Sequence, residues 1–532
     1  MGAVLETDVL VVGAGPTGLT AANLLTDYGV RVIVAERNAV TSDEPRAISA
    51  TDEMLRVMQQ IGILGRLAPE MLLDTGARYF GARGQLLAEV RPGRARLGQP
   101  GKSQFDQPVL EKLLLDAARR RKVDLRMSTE AGGLVVRRDH VEMTLTGPDG
   151  ATSVRAGWLI ACDGGRSPIR TALGIPMEGS TQVEEWIVVD LLNTGAHEPF
   201  AEFHCNGTRP AVVVPGVKGR CRFEFMLLPG ETHEEMTTPD AVADLTEPYL
   251  GYRVAPTAIR RARVYVAHQL VARRFIHGRV LLAGDAAHMM PPFAGQGLNA
   301  GIRDAANLAW KVAAAVSGTG TGELVRTYES ERRPHARDMI AISRRIGQVV
   351  MGTDARVTRG RDLLARAANL VPPAKAWLAG MKFLKQPHFT DGCVVPAGRD
   401  VRRAVGDMVG RALSQPDVTL PGGDRVPLDT LLGSGWCALR IGRGAAGTVE
   451  VIPLAPPGDG PGPTSLAVTV ASGEISALAG TAVTVLVRPD RYVAAVAEQG
   501  SEPVALGQLA LYAPWLPAAW NARAASARLI SQ

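Results

Sequence analysis

The first 36 residues place two apolar runs on either side of a glycine-rich turn. The run VLVV at 9–12 is followed by a segment of helical periodicity through Leu25, and a second apolar run at 30–35 ends at Glu36. Strand, turn, helix and strand in this order predict a βαβ unit. The turn has the spacing G-x-G-x-x-G, formed by Gly13, Gly15 and Gly18.

This glycine turn predicts a bound dinucleotide. Its glycines permit a tight turn, close approach of the backbone to a pyrophosphate, and close packing of helix on strand. The helix N-terminus offers unpaired N–H groups and the positive end of its dipole to phosphate. Glu36 lies 18 residues after Gly18, near the spacing of a carboxylate that binds ribose hydroxyls. NAD and FAD both satisfy this pattern, so the fingerprint leaves the choice between them open.

Two later apolar runs end at an aspartate next to a glycine. The first lies in WLIACDGGRSPIRTALGI (158–175), and the second, GRVLLAGD, precedes PPFAGQGLNAGIRDAANLAWK (291–311). The glycines before the last helical run predict a ligand that lies too close to the backbone for side chains. The two pairs are Asp163-Gly164 and Gly284-Asp285.

Periodicity and composition divide the rest of the chain. Residues 176–275 alternate apolar and polar positions over short stretches such as RFEFMLL, which predicts a strand-rich unit. Residues 321–350 are helical and charged. After about residue 388 glycine and proline increase, and stretches such as GWCALRIG predict further strands.

Composition excludes several classes of protein. The chain has 532 residues, 46% hydrophobic and 21% charged, as in a globular protein of several domains. Its 59 basic and 53 acidic residues are interspersed, which argues against a nucleic-acid partner, while the net charge of +6 suits an anionic substrate or cofactor. No apolar run approaches the roughly 20 residues of a membrane span. The five cysteines form no C-x-x-C and no metal-ligand cluster, so we expect a cytoplasmic protein without a metal site.

Together these motifs resemble the single-component (group A) FAD-dependent aromatic hydroxylases, which include p-hydroxybenzoate hydroxylase and phenol hydroxylase. Three stretches are most similar to 3-(3-hydroxyphenyl)propionate hydroxylases: EFMLLPGE (224–231), the Gly-Gln-Gly stretch beginning near residue 290, and YESERRPHAR (328–337). The similarity covers about residues 5–350. A pyridine nucleotide–disulfide reductase is disfavoured, because the chain has one G-x-G-x-x-G and no C-x-x-C.

The resemblance implies an α/β fold with a Rossmann-like FAD-binding domain of the p-hydroxybenzoate hydroxylase type. This domain would occupy 1–175 and 276–387, with a β-sheet substrate-binding domain inserted at 176–275. Residues 388–532 would form a thioredoxin-like C-terminal domain without C-x-x-C. We expect a monomer or homodimer.

The resemblance also implies the reaction. NADPH or NADH, as a transient reductant, would reduce FAD, and O2, the cosubstrate, would form a C4a-hydroperoxide that transfers OH to a small aromatic substrate. The protein would keep this peroxide dry and deprotonate a phenol so that the ring attacks.

The family pattern assigns many residues to FAD. Asp285 would bind the ribityl chain or cap a helix. Gln107 would touch the same region, compatible with a helix cap at Asp106, and Arg170 would make a structural pair. The full predicted FAD set is Gly13, Gly15, Pro16, Thr17, Gly18, Glu36, Arg37, Arg46, Gln107, Asp163, Gly164, Gly284, Asp285, Pro292, Gly295, Gly297, Leu298 and Asn299.

Catalytic and substrate residues are less constrained by the pattern. Asp52 is the favoured base for the phenol, with helix capping an equal alternative. His268 and Pro292 are further catalytic candidates, and His204 and His288 are weaker ones. In the strand-rich unit we expect substrate contacts from Arg222, Phe225 and Tyr265, although alternation alone does not fix which face each occupies.

Three other functions remain to be weighed. A tailoring oxygenase would hydroxylate a polycyclic aromatic natural product or insert oxygen by Baeyer–Villiger chemistry on the same frame. A flavin-binding protein without turnover is disfavoured by the intact motifs. A halogenase would carry a W-x-W-x-I-P pattern, which the chain lacks.

Overall fold

The computed structural model describes residues 4–91, 96–195, 197–379, 386–398, 401, 403–442, 447–456, 465–470, 473–478 and 481–530. Up to residue 175 the strands are β1 (Leu5–Val12), β2 (Val32–Ala35), β3 (Ser49–Thr51), β4 (Met71–Leu72), β5 (Gly76–Phe80), β6 (Leu86–Val90), β7 (Lys102–Phe105), β8 (Asp124–Arg126), β9 (Glu130–Val136), β10 (Val141–Gly147) and β11 (Gly150–Ala161). The helices there are α1 (Pro16–Asp27), α2 (Asp52–Ile61), α3 (Leu64–Leu67), α4 (Gln107–Arg120) and α5 (Pro168–Ala172).

The middle of the chain adds a second group of strands and then long helices. Its strands are β12 (Met177–Leu191), β13 (Phe200–His204), β14 (Ala211–Pro215), β15 (Cys221–Met226), β16 (Ile259–Ala272), β17 (Ile276–His277), β18 (Val280–Leu282) and β19 (His288–Met289). Its helices are α6 (His233–Met236), α7 (Pro239–Leu250), α8 (Gly297–Val316), α9 (Gly322–Met351), α10 (Ala355–Asn369) and α11 (Pro372–Ala379).

The C-terminal part is strand-rich and closes with helices. Its strands are β20 (Asp417–Thr419), β21 (Arg425–Pro427), β22 (Trp436–Ile441), β23 (Thr448–Leu454), β24 (Leu466–Val470), β25 (Val483–Val487) and β26 (Val493–Glu498). Its helices are α12 (Arg403–Gly406), α13 (Asp429–Leu432), α14 (Glu502–Leu509) and α15 (Leu516–Ile530).

The first sheet carries the predicted βαβ unit. Its order is β17-β18-β11-β1-β2-β8, and β1 pairs in parallel with both β11 and β2. Outside this order, β10 also pairs with β11, and β9 pairs with β10. Val9, Leu10 and Val11 of β1 are fully buried, as expected for a central parallel strand covered on both faces. Helix α1 packs against α4 and α8 beside this sheet. The carboxyl ends of β1, β2 and β11 therefore meet at one edge, where α/β folds bind ligands.

The second sheet has the order β19-β16-β12-β15-β14-β13-β5-β6. Residues 176–275 supply β12 to β16, and β5, β6 and β19 come from segments that we assigned to the FAD-binding domain. The strand-rich unit is therefore not a self-contained insertion. Strand pairing over such sequence distances leaves no local signal, so periodicity alone did not reveal it.

The third sheet is formed by the C-terminal part, in the order β21-β20-β24-β23-β22-β25-β26. Every pairing described in it is antiparallel. A thioredoxin-like unit contains a parallel βαβ pair, and β22 instead joins the next strand as an antiparallel hairpin. The thioredoxin-like prediction is therefore not confirmed.

The C-terminal unit is anchored to the long helices by fully buried charges. Arg488 lies 2.8 Å from Glu331 of α9, and Lys311 of α8 lies 2.7 Å from the same carboxylate. Asp490 completes the group at 2.6 Å from Arg488. Two cations and two carboxylates balance in charge, which makes their burial tolerable. None of the helices in the described residues is long and apolar enough to cross a membrane.

Candidate functional site

The main cavity lies between the ligand edge of the first sheet and one face of the second sheet, and its volume is about 850 Å³. Most of the predicted site residues line it: Gly13, Gly15, Pro16, Thr17, Glu36, Arg37, Arg46, Gln107, Asp163, Gly164, Arg222, Tyr265, His268, Asp285, Pro292, Gly295, Gly297 and Leu298. Five do not: Gly18, Asp52, Phe225, Gly284 and Asn299.

The three fingerprint glycines are needed for different reasons. A Cβ on Gly13 would lie 2.3 Å from the carbonyl oxygen of Cys162, and one on Gly18 would lie 2.0 Å from the carbonyl oxygen of Gly13. Both glycines are thus fixed by packing within the protein. A Cβ on Gly15 would meet no protein atom within 4 Å. Gly15 opens onto the cavity, so the reason for its missing side chain is the space that a ligand would fill.

Glu36 closes the glycine turn from the end of β2. Its Oε2 accepts the N–H of Ala14 at 2.8 Å, and its Oε1 accepts the N–H and side-chain amide of Asn38 at 2.9 and 2.7 Å. A carboxylate has about four acceptor positions, so Glu36 keeps capacity for ribose hydroxyls.

Gln107 and Glu111 hold the loop that carries Arg46 along the cavity. The Gln107 side chain accepts the N–H of Ala47 at 2.7 Å and donates to Glu111 at 2.7 Å. Glu111 in turn accepts the N–H of Ser42 at 3.0 Å. Asp106 is the N-cap residue of α4 but makes no side-chain cap bond, and its carboxylate pairs with Arg220 instead.

Two carboxylates line the cavity near the glycine turn and the loop before α8, and that of Asp285 is free for a ligand. No described residue hydrogen-bonds the Asp285 carboxylate, which is accessible from the cavity although protein surrounds it. Burial raises the pKa of Asp285, while His288 and Arg46 act in the opposite direction. In Asp163, Oδ2 accepts the N–H of Ile169 at 3.1 Å and the Ser167 side chain is a further partner, so the protein itself uses this carboxylate. Asp285 lies in a short 3₁₀ turn and caps no helix.

The loop before α8 presents bare backbone to the cavity. Gly295 is left-handed with φ of +62°, and Gln296 is the N-cap of α8 without a side-chain cap bond. A Cβ on Gly297 would meet nothing within 4 Å. The first N–H groups of α8 thus remain for a ligand with partial negative charge.

The side chain of Asn299 holds this loop in place and does not line the cavity, and the expectation that Asn299 binds the flavin stays a prediction. Its Oδ1 accepts the N–H of Thr51 at 3.0 Å, and its Nδ2 donates to the carbonyls of Ser49 and Gly295 at 2.8 and 2.7 Å. Gly284 has a similar role, because its N–H binds Asp304 at 3.1 Å behind the cavity wall.

The residues present fit FAD. An open glycine fingerprint, a carboxylate after β2, an unpaired carboxylate at Asp285 and a helix start for the ring provide partners for each part of that cofactor. When bound, FAD would supply the redox and oxygen chemistry, which no side chain provides.

The second sheet closes the cavity with a largely apolar wall in which Glu224 and Tyr265 form a hydrogen-bonded pair. Glu224 on β15 is 8% exposed, and the Tyr265 hydroxyl on β16 donates to its Oε2 at 3.3 Å. Burial raises the pKa of Glu224, with Arg222 opposing this shift, and raises the pKa of Tyr265 well above its usual range. The apolar part of the wall is Val188, Ala201, Phe203, Val212, Val214, Val264, Val266 and Ala267, and Phe293 adds to it from the loop before α8.

Sequence reasoning missed Glu224 and chose its neighbour Phe225. The two side chains lie on opposite faces of β15, and Phe225 stacks with Phe223 and contacts Tyr249 of α7. A sheet covered on both faces is apolar on both, so alternation did not identify the cavity face. The single acid in RFEFML was the signal available.

Arg222 lines the cavity, but the protein uses most of its donors. It binds Asp190 at 2.7 Å and donates to the carbonyls of Pro45 and Arg46. Arg222 thus joins the second sheet to the loop over the cavity, a positioning role that the sequence did not predict.

Asp52 is not brought to the cavity. Thr51 is the N-cap of α2, and Asp52 occupies the first turn, where its Oδ1 accepts the N–H of Glu53 at 2.9 Å. Burial raises the pKa of Asp52 to about 7. Neither the base nor the cap expectation for Asp52 agrees with this position.

The histidines also separate. His268 is exposed at the cavity rim and contacts Thr181 at 2.9 Å. His204 stacks on Phe80 outside the lining. His288 is fully buried at 2.6 Å from Asp304. Arg170 donates to the carbonyls of Ala286 and Gly165, so it joins the two aspartate loops.

Comparison with known proteins agrees with this geometry. Residues 6–343 match the family described as FAD binding domain. The 3-(3-hydroxy-phenyl)propionate/3-hydroxycinnamic acid hydroxylase of Mycolicibacterium smegmatis is 39% identical over 433 residues, covering 81% of this chain and 76% of the relative. The hydroxylase of the same name from Klebsiella pneumoniae is 37% identical and covers 92% of this chain and 91% of its own.

A solved structure extends the likeness to nearly the whole fold. The complex of aklavinone-11 hydroxylase with FAD and aklavinone has a TM-score of 0.74 at 26% identity, covering 94% of this chain and 96% of the other. The chain belongs to the FAD-binding family. Within it, the chain is an FAD-dependent aromatic hydroxylase.

Proposed function

We propose that the chain hydroxylates a phenol that carries a short carboxylate side chain, as in 3-(3-hydroxyphenyl)propionate, with NADH or NADPH as transient reductant and O2 as cosubstrate. The names of the two bacterial relatives support this substrate class. The observation that carries the proposal is the pair formed by Glu224 and Tyr265, a buried carboxylate hydrogen-bonded to a hydroxyl in the wall that the second sheet forms over the FAD cavity.

Glu224 accepts the phenol proton in this proposal. The substrate O–H donates to the Tyr265 oxygen while the Tyr265 proton passes to Glu224, which leaves a phenolate and a neutral carboxyl group. A base is most effective when its pKa lies near the working pH, and burial moves the pKa of Glu224 in that direction. The raised pKa of Tyr265 keeps this residue a hydroxyl between transfers.

The other cavity residues position the reactants. The apolar wall excludes water from the reacting ring, and the free N–H groups at the start of α8 stabilise negative charge on the cofactor. Asp285 and Glu36 bind the cofactor hydroxyls. The hydrogen bonds from Arg222 to Asp190 and to the carbonyls of Pro45 and Arg46 keep the second sheet over the cavity.

Substitution of Glu224 tests this role. Glu224→Gln is expected to lower kcat at pH 7 by about 10²–10⁴-fold, a typical range for loss of a general base. The deficit should shrink as pH approaches about 10, where a phenol ionises without help. Glu202→Gln is the matched control, because Glu202 lies on β13 of the same sheet, bonds His204 at 3.0 Å and does not line the cavity. Normal turnover by Glu224→Gln at pH 7 would overturn the assignment.

A second candidate is a tailoring oxygenase that acts on a polycyclic aromatic compound, by hydroxylation or Baeyer–Villiger chemistry. The match to aklavinone-11 hydroxylase over 94% of the chain supports it. Stimulation of NAD(P)H oxidation by polycyclic phenols alone, with none by hydroxyphenylpropionates, would favour this candidate.

We also propose a cytoplasmic enzyme that acts as a monomer or homodimer, without nucleic-acid or membrane partners. All five cysteines are free thiols, and four are buried, which suits a reducing compartment. Mass measurement of the native protein in solution tests the oligomeric state.

A further inference from the structure

Strand β7 brings two polar side chains to the main cavity, Lys102 and Gln104. Lys102 and Gln104 stand two residues apart, so their side chains share one face of the strand, and both line the cavity. None of the sequence motifs includes them. The mechanism described above does not use them either.

Lys102 is a cation without a counter-ion. No described residue forms an ion pair or a side-chain hydrogen bond with its ammonium group. The arginines of the cavity differ from it: Arg222 and Arg261 pair with Asp190, Arg263 pairs with Glu44, and Arg37 and Arg46 are exposed. Lys102 is half-buried in the cavity wall, and burial lowers its pKa to about 8. A cation that has lost part of its water and has no counter-ion is stabilised by an anion.

Gln104 adds hydrogen-bonding capacity at the same place. Its side chain is 1% exposed, its Nε2 lies 3.4 Å from the Thr75 hydroxyl, and its Oε1 has no partner in the described part of the chain. Turning the amide over lets Thr75 donate to Oε1 and leaves Nε2 free to donate to a ligand oxygen.

The position of Lys102 points to the substrate end of the cavity. Gln104 pairs with Ser49, beside Gly295 of the flavin loop, whereas Lys102 pairs with Thr51, one pleat further from Gly295. The Lys102 carbonyl accepts the N–H of Thr75, immediately before β5. Strand β5 pairs with β13, whose Ala201 and Phe203 belong to the apolar wall.

We propose that Lys102, assisted by Gln104, binds the carboxylate of the aromatic substrate. The proposal rests on the proposed function and names the subsite that holds the substrate's acidic end. Lys102 would pair with one carboxylate oxygen and Gln104 would donate to it, while the phenol reaches Tyr265 and Glu224 elsewhere on the second sheet. The subsite is expected to select phenols that carry a carboxylate over uncharged phenols of equal size.

Two ligands of matched shape test the subsite: 3-(3-hydroxyphenyl)propionate and 3-propylphenol, which has no carboxylate. Their dissociation constants are measured on the oxidised FAD-loaded enzyme through the change in flavin absorbance, without turnover. The wild type is expected to prefer the carboxylate. Lys102→Met should reduce that preference about 10- to 100-fold, and Lys102→Arg should restore part of it. Lys112→Met, at an exposed lysine on α4, is the control and should keep the preference.

The outcomes separate this proposal from the proposed function. Equal binding of both ligands to the wild type, or an unchanged preference in Lys102→Met, would overturn the carboxylate subsite. A weaker affinity for FAD or a shifted flavin reduction potential in Lys102→Met, with the preference intact, would assign Lys102 to the flavin and also overturn it. Selective binding of the carboxylate without formation of hydroxylated product would keep the subsite and contradict the proposed function.

Discussion

The side-chain Oδ1 of Asn299 lies 3.0 Å from the backbone nitrogen of Thr51, so the first turn of α8 is joined to the N-cap of α2. The same amide binds the carbonyls of Ser49 and Gly295. One buried side chain thus fixes both the glycine loop that faces the flavin and the strand opposite it.

Replacing Asn299 should therefore loosen the flavin loop without touching the cofactor directly. Asn299→Ala leaves the N–H of Thr51 and the carbonyl of Ser49 unpaired, which costs about 1–3 kcal/mol of unfolding free energy. We expect lower stability in urea together with weaker FAD binding. Asn369→Ala is the control, since its amide binds the Leu87 carbonyl away from the cavity. Unchanged FAD affinity in Asn299→Ala would contradict the positioning role.

The fingerprint glycines predict two different phenotypes. Gly18→Ala drives a Cβ against the Gly13 carbonyl and should destabilise the apoprotein by about 1–3 kcal/mol. Gly15→Ala meets no protein atom and should leave the apoprotein stable while weakening FAD binding about tenfold or more, at least about 1.4 kcal/mol. Thermal unfolding with and without FAD distinguishes the two. Equal loss of apoprotein stability in both variants would be inconsistent with an open ligand space at Gly15.

Asp52 predicts a pH dependence of stability. Its folded pKa is about 7 against an ordinary 3.8, raised first by burial and then by Glu53, with the Glu53 N–H, Arg303 and Arg96 opposing. Between these values the folded state holds a proton that the unfolded state has released, so Asp52 lowers stability as pH rises from about 4 to 7. Asp52→Asn should stabilise the protein at pH 7.5 by on the order of 2–4 kcal/mol and flatten this dependence.

Urea unfolding of Asp52→Asn and wild type between pH 5 and 8 (a range of about three units around the shifted pKa) measures this effect. The variant is also expected to retain hydroxylation, because Asp52 does not line the cavity. A large loss of kcat in Asp52→Asn, with normal FAD content, would contradict this expectation and support a catalytic role for Asp52.

Local patterns predicted the parts of the fold that depend on neighbouring residues. The turn from β1 into α1 with Glu36 after it, and the glycine loop before α8, are each formed by residues that lie close together in the sequence. Short motifs are therefore enough to predict their geometry. The motif gives Gly15 and Gly18 equal importance. The structure shows that Gly18 is required for packing within the protein, whereas Gly15 leaves space for a ligand.

Local patterns did not predict features that depend on residues far apart in the sequence. Phe225 and Glu224 could not be assigned to faces, because α7 covers the far side of the second sheet and makes it apolar as well. The joining of β5 to β13 and the antiparallel pairing of β22 with β23 depend on partners that periodicity does not specify. The sequence did not single out Lys102, because a lone lysine forms no motif. Its predicted role in anion binding depends on the lack of a counter-ion among the described residues, which only the structure shows.

The most direct measurement is oxidation of NADH and NADPH by the purified FAD-loaded protein, with and without 3-(3-hydroxyphenyl)propionate, with products identified by mass. The account predicts that the phenol stimulates oxidation of at least one nucleotide and yields a product heavier by one oxygen atom. Failure of both nucleotides to reduce the bound flavin, with this phenol or with larger ones, would contradict it.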